Sequence, residues 1–310
     1  MGMDGSADRR TVTVNLSAYI AKREQQIDRF LEKCLSAPHG AERLHEAMRY
    51  SLFSGGKRIR PVLALAATEA VGGPLARTMP FACALEMIHT YSLIHDDLPA
   101  MDDDSLRRGK PSNHVVFGEA LAILAGDALL TEAFRIMAEA AARAGGERGR
   151  AVQVLVELAI AAGALGMVAG QAADMEAEDR PTDLPTVELI HVRKTGALIR
   201  AAVRGGAILA GAPAGQLRRL TRYAEYLGLA FQITDDILDV EGTTARTGKL
   251  QGRDLVRHKA TFPGVLGMPA AKARAHELLA DMLRQLEPFG GKADALREIA
   301  RFVVGRAIPI

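Results

Sequence analysis

The sequence predicts an all-α protein built as one domain. Three observations carry that reading. Ala, Leu, Glu and Arg dominate the 310 residues. Runs of alternating apolar and polar residues, the mark of half-buried strands, are almost absent. Gly or Pro punctuates the chain roughly every 20 to 30 residues, a spacing of helix ends rather than sheet turns. The composition, 48% hydrophobic and 25% charged, supports a large buried core. A net charge of +2 argues for neither nucleic acid nor an acidic membrane surface as partner.

Candidate helices follow in order: 15–35, 41–53, 61–71, 75–98, 115–144, 148–173, 185–211, 214–241, 269–287 and 292–305. In the first, Leu16, Ile20, Ile27, Leu31 and Cys34 fall on one stripe. Pro61 suits the first position of its helix. Gly72-Gly73 and Gly145-Gly146 are stop signals, and Thr182 or Asp183 could cap the helix beginning near Pro185. Segments 151–170 and 197–212 are apolar nearly all round, which predicts burial on several sides. Cys34 and Cys83 read as reduced core thiols of a cytoplasmic protein. The start, MGMDGSADRR, lacks the apolar core of a signal peptide. Residues 1–12 read as a disordered leader and 13–310 as the domain. No stretch reaches the uninterrupted apolar length of a membrane span; 151–170 comes nearest, broken by Gln153 and Glu157.

The stretch from Ala82 to Gly118 carries the chemistry. An apolar helix (Phe81, Leu85, Met87, Ile88, Leu93, Ile94) runs into Asp96, Asp97, Asp102, Asp103 and Asp104, and Pro99 limits its length. The macrodipole disfavours carboxylates at a helix C-terminus, and five of them within nine residues repel one another. Cations would offset both costs. Oxygen-only ligands without clustered His or Cys point to Mg²⁺, and Arg107, Arg108 and Lys110 would suit a phosphate. Alone, the cluster also reads as a solvated acidic loop. A second cluster, Phe231-Gln232-Ile233-Thr234-Asp235-Asp236-Ile237-Leu238-Asp239, changes the balance. Asp235 and Asp239 share one helix face and could hold a metal jointly. Two such clusters suggest a diphosphate clamped by metals from both sides.

These residues resemble the short-chain trans-isoprenyl diphosphate synthases, most closely the bacterial farnesyl diphosphate synthases. The first cluster matches the family's DDxxxxD motif and the second its FQxxDDxxD motif. Gly55-Gly56-Lys57-Arg58-Ile59-Arg60-Pro61, Arg107-Arg108-Gly109-Lys110-Pro111, Gly170-Gln171 and Lys194-Thr195-Gly196 stand in family order, so the likeness spans roughly residues 13–305. It implies a helical bundle around a deep central cavity, a homodimer, and Mg²⁺, three ions with diphosphate bound. It implies metal ligation by Asp96, Asp97, Asp102, Asp235, Asp236 and Asp239. Isopentenyl diphosphate would bind Lys57, Arg60, His89 and Arg108, and the allylic diphosphate Arg107, Lys194 and Lys249. Lys194, Thr195, Gln232 and Lys249 would be catalytic.

Several of these residues have a second reading. His89 lies about 20° round the helix from Asp96 and about 10 Å below it. A lone His on an apolar helix is otherwise a core residue, and Lys194 could snorkel to solvent. The stretch 242–262, with Arg246, Lys249, Arg253, Arg257, His258 and Lys259, is either a solvated loop or a lid carrying Lys249. Many relatives have an acidic residue shortly before Lys259, where this chain has Arg257-His258.

The implied reaction is metal-assisted ionisation of an allylic diphosphate, attack by the double bond of isopentenyl diphosphate, and loss of a proton to the departing diphosphate. A terpene cyclase would not need the second diphosphate site. Inactive partner subunits of the family typically lack part of the aspartate set. Tyr91 and Ser92, five and four residues before Asp96, would set product length. An aromatic residue at the fifth position implies the C15 product, farnesyl diphosphate, with C20 geranylgeranyl diphosphate the alternative. Tyr91 could also merely pack between helices, since ideal geometry puts it about 140° round from Asp96.

Overall fold

The computed structural model describes residues 14–35, 40–177, 183–241 and 261–308. The expected leader, 1–12, and the stretch holding Lys249, Lys259 and the other bases of 246–258 lie outside them. The order is α1 (Leu16–Cys34), α2 (Glu42–Leu52), α3 (Ile59–Val71), α4 (Leu75–Asp96), β1 (Leu106–Arg107), β2 (Lys110–Pro111), α5 (Asn113–Phe117) and α6 (Glu119–Arg143). Then follow α7 (Arg148–Ala162), α8 (Met167–Ala177), α9 (Leu184–His191), a π-helical turn (Val192–Gly196), α10 (Ala197–Leu209) and α11 (Ala214–Glu241). The chain ends with α12 (Phe262–Leu266), α13 (Met268–Leu286) and α14 (Asp294–Gly305). The all-α prediction holds.

Helix ends fall where local chemistry dictates. Gly72, at φ 92°, closes α3 with its N–H on the Thr68 and Glu69 carbonyls. Asp183 caps α9 by accepting from the Thr186 N–H at 3.0 Å. Pro61 is the third residue of α3, not the first, because Arg58 takes the N-cap position in a left-handed conformation. Its missing N–H still falls in the first turn, where it costs nothing.

Three predicted helices are divided. The segment 115–144 breaks at Gly118, whose φ of 86° no α-helix accepts. The segment 148–173 breaks in a turn at 163–166. The segment 185–211 carries the π turn. By length and composition Gly145–Ala177 is apolar enough to cross a membrane, which corrects the expectation that no stretch is, although the turn at 163–166 interrupts it.

The core is one contiguous cluster drawn from nearly every helix. Helices α3 and α10 are buried on most sides, as their composition predicts for 197–212. They meet at Gly206, where a Cβ would collide with the Ala64 carbonyl oxygen. The segment 151–170 differs. Val152, Val156, Ile160, Leu165 and Val168 leave an apolar face exposed on the single chain. Cys83 is fully buried, but Cys34 only half so.

Candidate active site

Helix α4 delivers the first acidic cluster. It stops at Asp96, and the chain folds back so that the Asp102 N–H reaches the Asp96 carbonyl at 2.8 Å and the Asp104 N–H the Asp97 carbonyl at 3.1 Å. Asp103 takes a positive φ of 49° to make this turn. Burial pushes the Asp96 pKa up to about 6, with the charges of Asp102 and Asp97 adding to it and those of Lys194 and Arg107 opposing. Asp97 faces the other way. It is 2% exposed and accepts from Arg107 Nε at 3.0 Å; Arg107 Nη2 also binds it. Arg107 in turn lies 3.4 Å from Asp104. The structure thus spends Asp97 on Arg107, and Asp96 with Asp102 form the open end of the cluster.

The predicted isopentenyl diphosphate residues gather beside it. The β1–β2 hairpin, Leu106 opposite Pro111, presents Arg108 to the Gly55 carbonyl. Gly56, at φ 115°, admits the guanidinium, because a Cβ there would strike it. Burial pushes the His89 pKa well down, and Arg60, Arg108, Arg107 and Arg58 push the same way. His89 therefore sits in the same cationic neighbourhood as Arg60 and Arg108. Lys57 lies with Nζ 4.4 Å from the Phe302 ring centroid.

A buried ion pair absent from the sequence reading holds this loop. Arg58 Nη1 meets Glu86 of α4 at 2.9 Å, with both side chains nearly inaccessible. Its Nη2 donates to the Leu52 carbonyl at 2.7 Å and its Nε to Asp28 at 3.2 Å. Arg58 and Glu86 lie 28 residues apart, so no local pattern announces the pair.

The π turn supplies Lys194 and Thr195. Its wider loop lets α8 approach: a Cβ on Gly170 would collide with the Lys194 backbone nitrogen. Lys194 Nζ bonds Asp174 of α8 at 2.6 Å. Asp174 was missed, although it falls three residues after Gln171, on the same helix face. Thr195 Oγ1 donates to Gln232 Oε1 of α11 at 3.2 Å.

Helix α11 carries the second cluster through its last two turns. Asp235 is 40% exposed at its side chain and meets Arg306, beyond α14, at 3.0 Å. Asp239 is half-buried one turn on. Asp236 is 2% exposed. Its Oδ1 accepts from Gln232 Nε2 at 3.0 Å, its Oδ2 from the Phe262 backbone N–H at 3.0 Å, and His191 Nε2 lies 3.5 Å away. Sequence reasoning placed Asp97 and Asp236 among metal ligands. Both are buried against protein partners.

The remaining donors fit Mg²⁺. Among the described residues no group of three or more His, Cys, Asp or Glu forms a ready cage. A few carboxylates, completed by waters and substrate phosphate, are what Mg²⁺ takes. The raised Asp96 pKa marks a carboxylate whose surroundings disfavour its anion until a cation arrives.

Tyr91 is buried, and its ring packs edge-on to His95, centroids 5.7 Å apart. His95 Nε2 lies 3.1 Å from the Ile123 carbonyl of α6, against Gly126, where a Cβ would collide with the imidazole. Burial and then the Asp96 charge push the Tyr91 phenol up to about 12. Ser92 Oγ is turned back onto the His89 carbonyl at 2.9 Å.

Comparison with known proteins agrees with this geometry. The polyprenyl synthetase family model matches residues 41–299. A farnesyl diphosphate synthase of Geobacillus stearothermophilus is 46% identical over 94% of this chain and 98% of its own length. A geranylgeranyl diphosphate synthase of Cyanophora paradoxa is also 46% identical, over 94% and 97%. The crystal structure of an FPP/GFPP synthase from Zymomonas mobilis superposes with a TM-score of 0.84 at 40% identity, covering 94% of this chain and 99% of that one. With the aspartates of α4 and α11, the basic loop before α3 and the lysine of the π turn all present, the chain belongs to the polyprenyl synthetase family and is a short-chain trans-prenyltransferase.

Proposed function

We propose that the protein condenses isopentenyl diphosphate with dimethylallyl and then geranyl diphosphate, releasing farnesyl diphosphate. The observation that carries the C15 product is Tyr91. It is buried, braced by His95 against α6, and close enough to Asp96 to feel its charge. That arrangement supports a ring standing beneath the metal site, where a growing tail would meet it.

The reaction uses side chains in two sets. Arg60, His89 and Arg108, with Lys57 swung from Phe302, hold isopentenyl diphosphate. Lys194 and Arg107, with Lys249 from the stretch outside the described residues, bind the allylic diphosphate. Asp96, Asp102, Asp235 and Asp239 would hold Mg²⁺. Bound Mg²⁺ supplies Lewis-acid neutralisation of the leaving diphosphate. Lys194, held by Asp174 until the diphosphate arrives, adds fixed positive charge where negative charge develops. The Thr195 hydroxyl and the Gln232 carbonyl oxygen present lone pairs to the allylic cation. Apolar walls keep water from quenching it. No protein nucleophile is needed. The exposed apolar face of α7 and α8 supports a homodimer, which sedimentation of the full chain tests.

Chromatography of products from dimethylallyl and labelled isopentenyl diphosphates tests the product. C15 is expected, and a Tyr91→Ala variant should shift the main product to C20. A C20 product from the unmodified protein would favour the geranylgeranyl reading, which the small Ser92 and the Cyanophora paradoxa relative also support. An unchanged C15 product from a folded Tyr91→Ala variant would remove Tyr91 as the reason.

A further inference from the structure

The Asp236 carboxylate has both oxygens engaged as acceptors, one by the Gln232 side-chain amide and one by the Phe262 N–H. A carboxylate that only accepts leaves the neighbouring amide one orientation: its NH₂ must face Asp236. The Gln232 carbonyl oxygen is then directed to Thr195, whose hydroxyl donates to it. With its proton committed, the Thr195 oxygen keeps its lone pairs for other partners. The two groups next to Lys194 thus both show negative dipole ends.

A carbocation needs that polarity. A flipped Gln232 amide would aim N–H groups toward the cation instead, and nothing in glutamine itself prevents the flip. The fixing charge must come from a neighbour that cannot donate. We propose that Asp236 is a positioning residue, not a metal ligand, and that it sets the polarity of the ionisation site by orienting the Gln232 amide toward Thr195. This rests on the proposed role of Thr195 and Gln232 in stabilising the cation.

The surroundings agree. Asp236 is 2% exposed, and its oxygens are occupied from within α11, by Gln232 one turn back, and from α12, by the Phe262 N–H. His191, stacked on Phe262 with centroids 5.5 Å apart, closes the remaining side. Asp235, one residue earlier, points about 100° away round the helix and is the exposed member of the pair.

The test separates orientation from ligation. Asp236→Asn can present either an oxygen or an NH₂ to Gln232, so the amide loses its fixed direction. We expect kcat to fall about 100-fold, as for other misaimed catalytic dipoles. KM for both substrates should stay within about 2-fold, since neither diphosphate is touched. Calorimetry with Mg²⁺ and inorganic diphosphate should give a Kd within about 2-fold of the unmodified protein, whereas Asp235→Asn should weaken it at least about 10-fold. Equal weakening by both variants would make Asp236 a ligand and overturn the proposal. Gln232→Leu should lower kcat as much as Asp236→Asn does, and adding Asp236→Asn to it should cost no more than about 2-fold. A fully additive loss would show that Asp236 does not act through Gln232. If Gln232→Leu leaves kcat unchanged, the role of Gln232 itself fails, and the proposal with it. Should Asp236→Asn not fold, the unmodified protein still decides. The Gln232 side-chain amide protons should exchange slowly by NMR and stay protected when Mg²⁺ and inorganic diphosphate are added. Loss of protection on that addition would mean Asp236 has left Gln232 for the metal.

Discussion

In Asp96-Asp97 the second carboxylate is buried against a guanidinium; in Asp235-Asp236 it is buried against an amide and a backbone N–H. The first residue of each pair stays more open. The same dipeptide thus yields one outward and one inward carboxylate twice, because neighbours on a helix point about 100° apart. The difference lies in what receives the inward one. On the α4 side a cation, Arg107, neutralises Asp97 and is itself held in the site. On the α11 side neutral dipoles take Asp236, which leaves its charge to polarise them. One inward aspartate anchors a charge, and the other aims a dipole.

The largest effect should come from the outward pair. On the proposed roles, Asp96→Ala and Asp235→Ala would each remove a ligand for the cation that stabilises the leaving diphosphate, a contribution of several kcal/mol. Turnover should fall about 1,000-fold or more in each, with circular dichroism unchanged. Near-normal turnover in either variant, or full activity in EDTA, would break the symmetry between the two clusters.

The inward aspartate of α4 should show mainly in stability. Asp97→Ala leaves Arg107, whose side chain is 18% exposed, with Asp104 at 3.4 Å as its ion-pair partner among the described residues. Breaking such a pair costs about 3 kcal/mol in urea unfolding. Replacing both partners, Asp97→Leu with Arg107→Met, should recover most of that loss while leaving the enzyme inactive. A double variant no more stable than the single would show that the pair is not what holds the turn.

The residues of the two clusters were legible in the sequence; their partners were not. Five aspartates beside a basic run announce a cation site by composition alone. The 100° rule also shows that Asp235 and Asp236 cannot share a face. What no local pattern contains is which of them is buried, since that depends on Phe262, 26 residues later. The π turn was hidden for the same reason. Val192-Arg193-Lys194-Thr195-Gly196 is compatible with an ordinary α-helix, and the wider turn coincides with tertiary contacts, Gly170 on Lys194 and Gly228 on Gly196. The breaks at Gly118 and 163–166 fall at glycines inside runs of good helix formers, where the neighbours' propensity hides the local break. Gly72 and Asp183 were legible because caps are local.

The cationic character of the α4 side can be read by pH. Burial, then Arg60, Arg108, Arg107 and Arg58, push the folded His89 pKa below its unfolded value of about 6.5. The unfolded chain therefore binds the proton first as pH falls. The stability this histidine contributes is full above about pH 6.5 and is lost on descending toward its depressed folded pKa. His89→Asn should flatten that part of the stability–pH curve. An identical slope in the variant would mean that the arginine field does not reach α4 as described.

The smallest effect belongs to the α11 side. Arg306 lies 3.0 Å from Asp235, donates to Thr234 Oγ1 at 3.0 Å and stacks 4.5 Å from the Phe231 ring centroid. The pair is partly solvated, with side-chain exposures of 23% and 40%, so it contributes no more than about 1 kcal/mol to stability. A cation arriving at Asp235 must displace or share that guanidinium, whereas Arg107 on the α4 side occupies the inward carboxylate and leaves Asp96 open. Arg306→Gln should therefore change unfolding free energy by less than about 1 kcal/mol. It should also tighten Mg²⁺–diphosphate binding by up to about 5-fold, the affinity equivalent of losing a competitor of that strength. Calorimetry reads both signs. Weaker binding in the variant would show that Arg306 helps hold the diphosphate, and the α11 cluster would then be a cation-assisted site like that of α4.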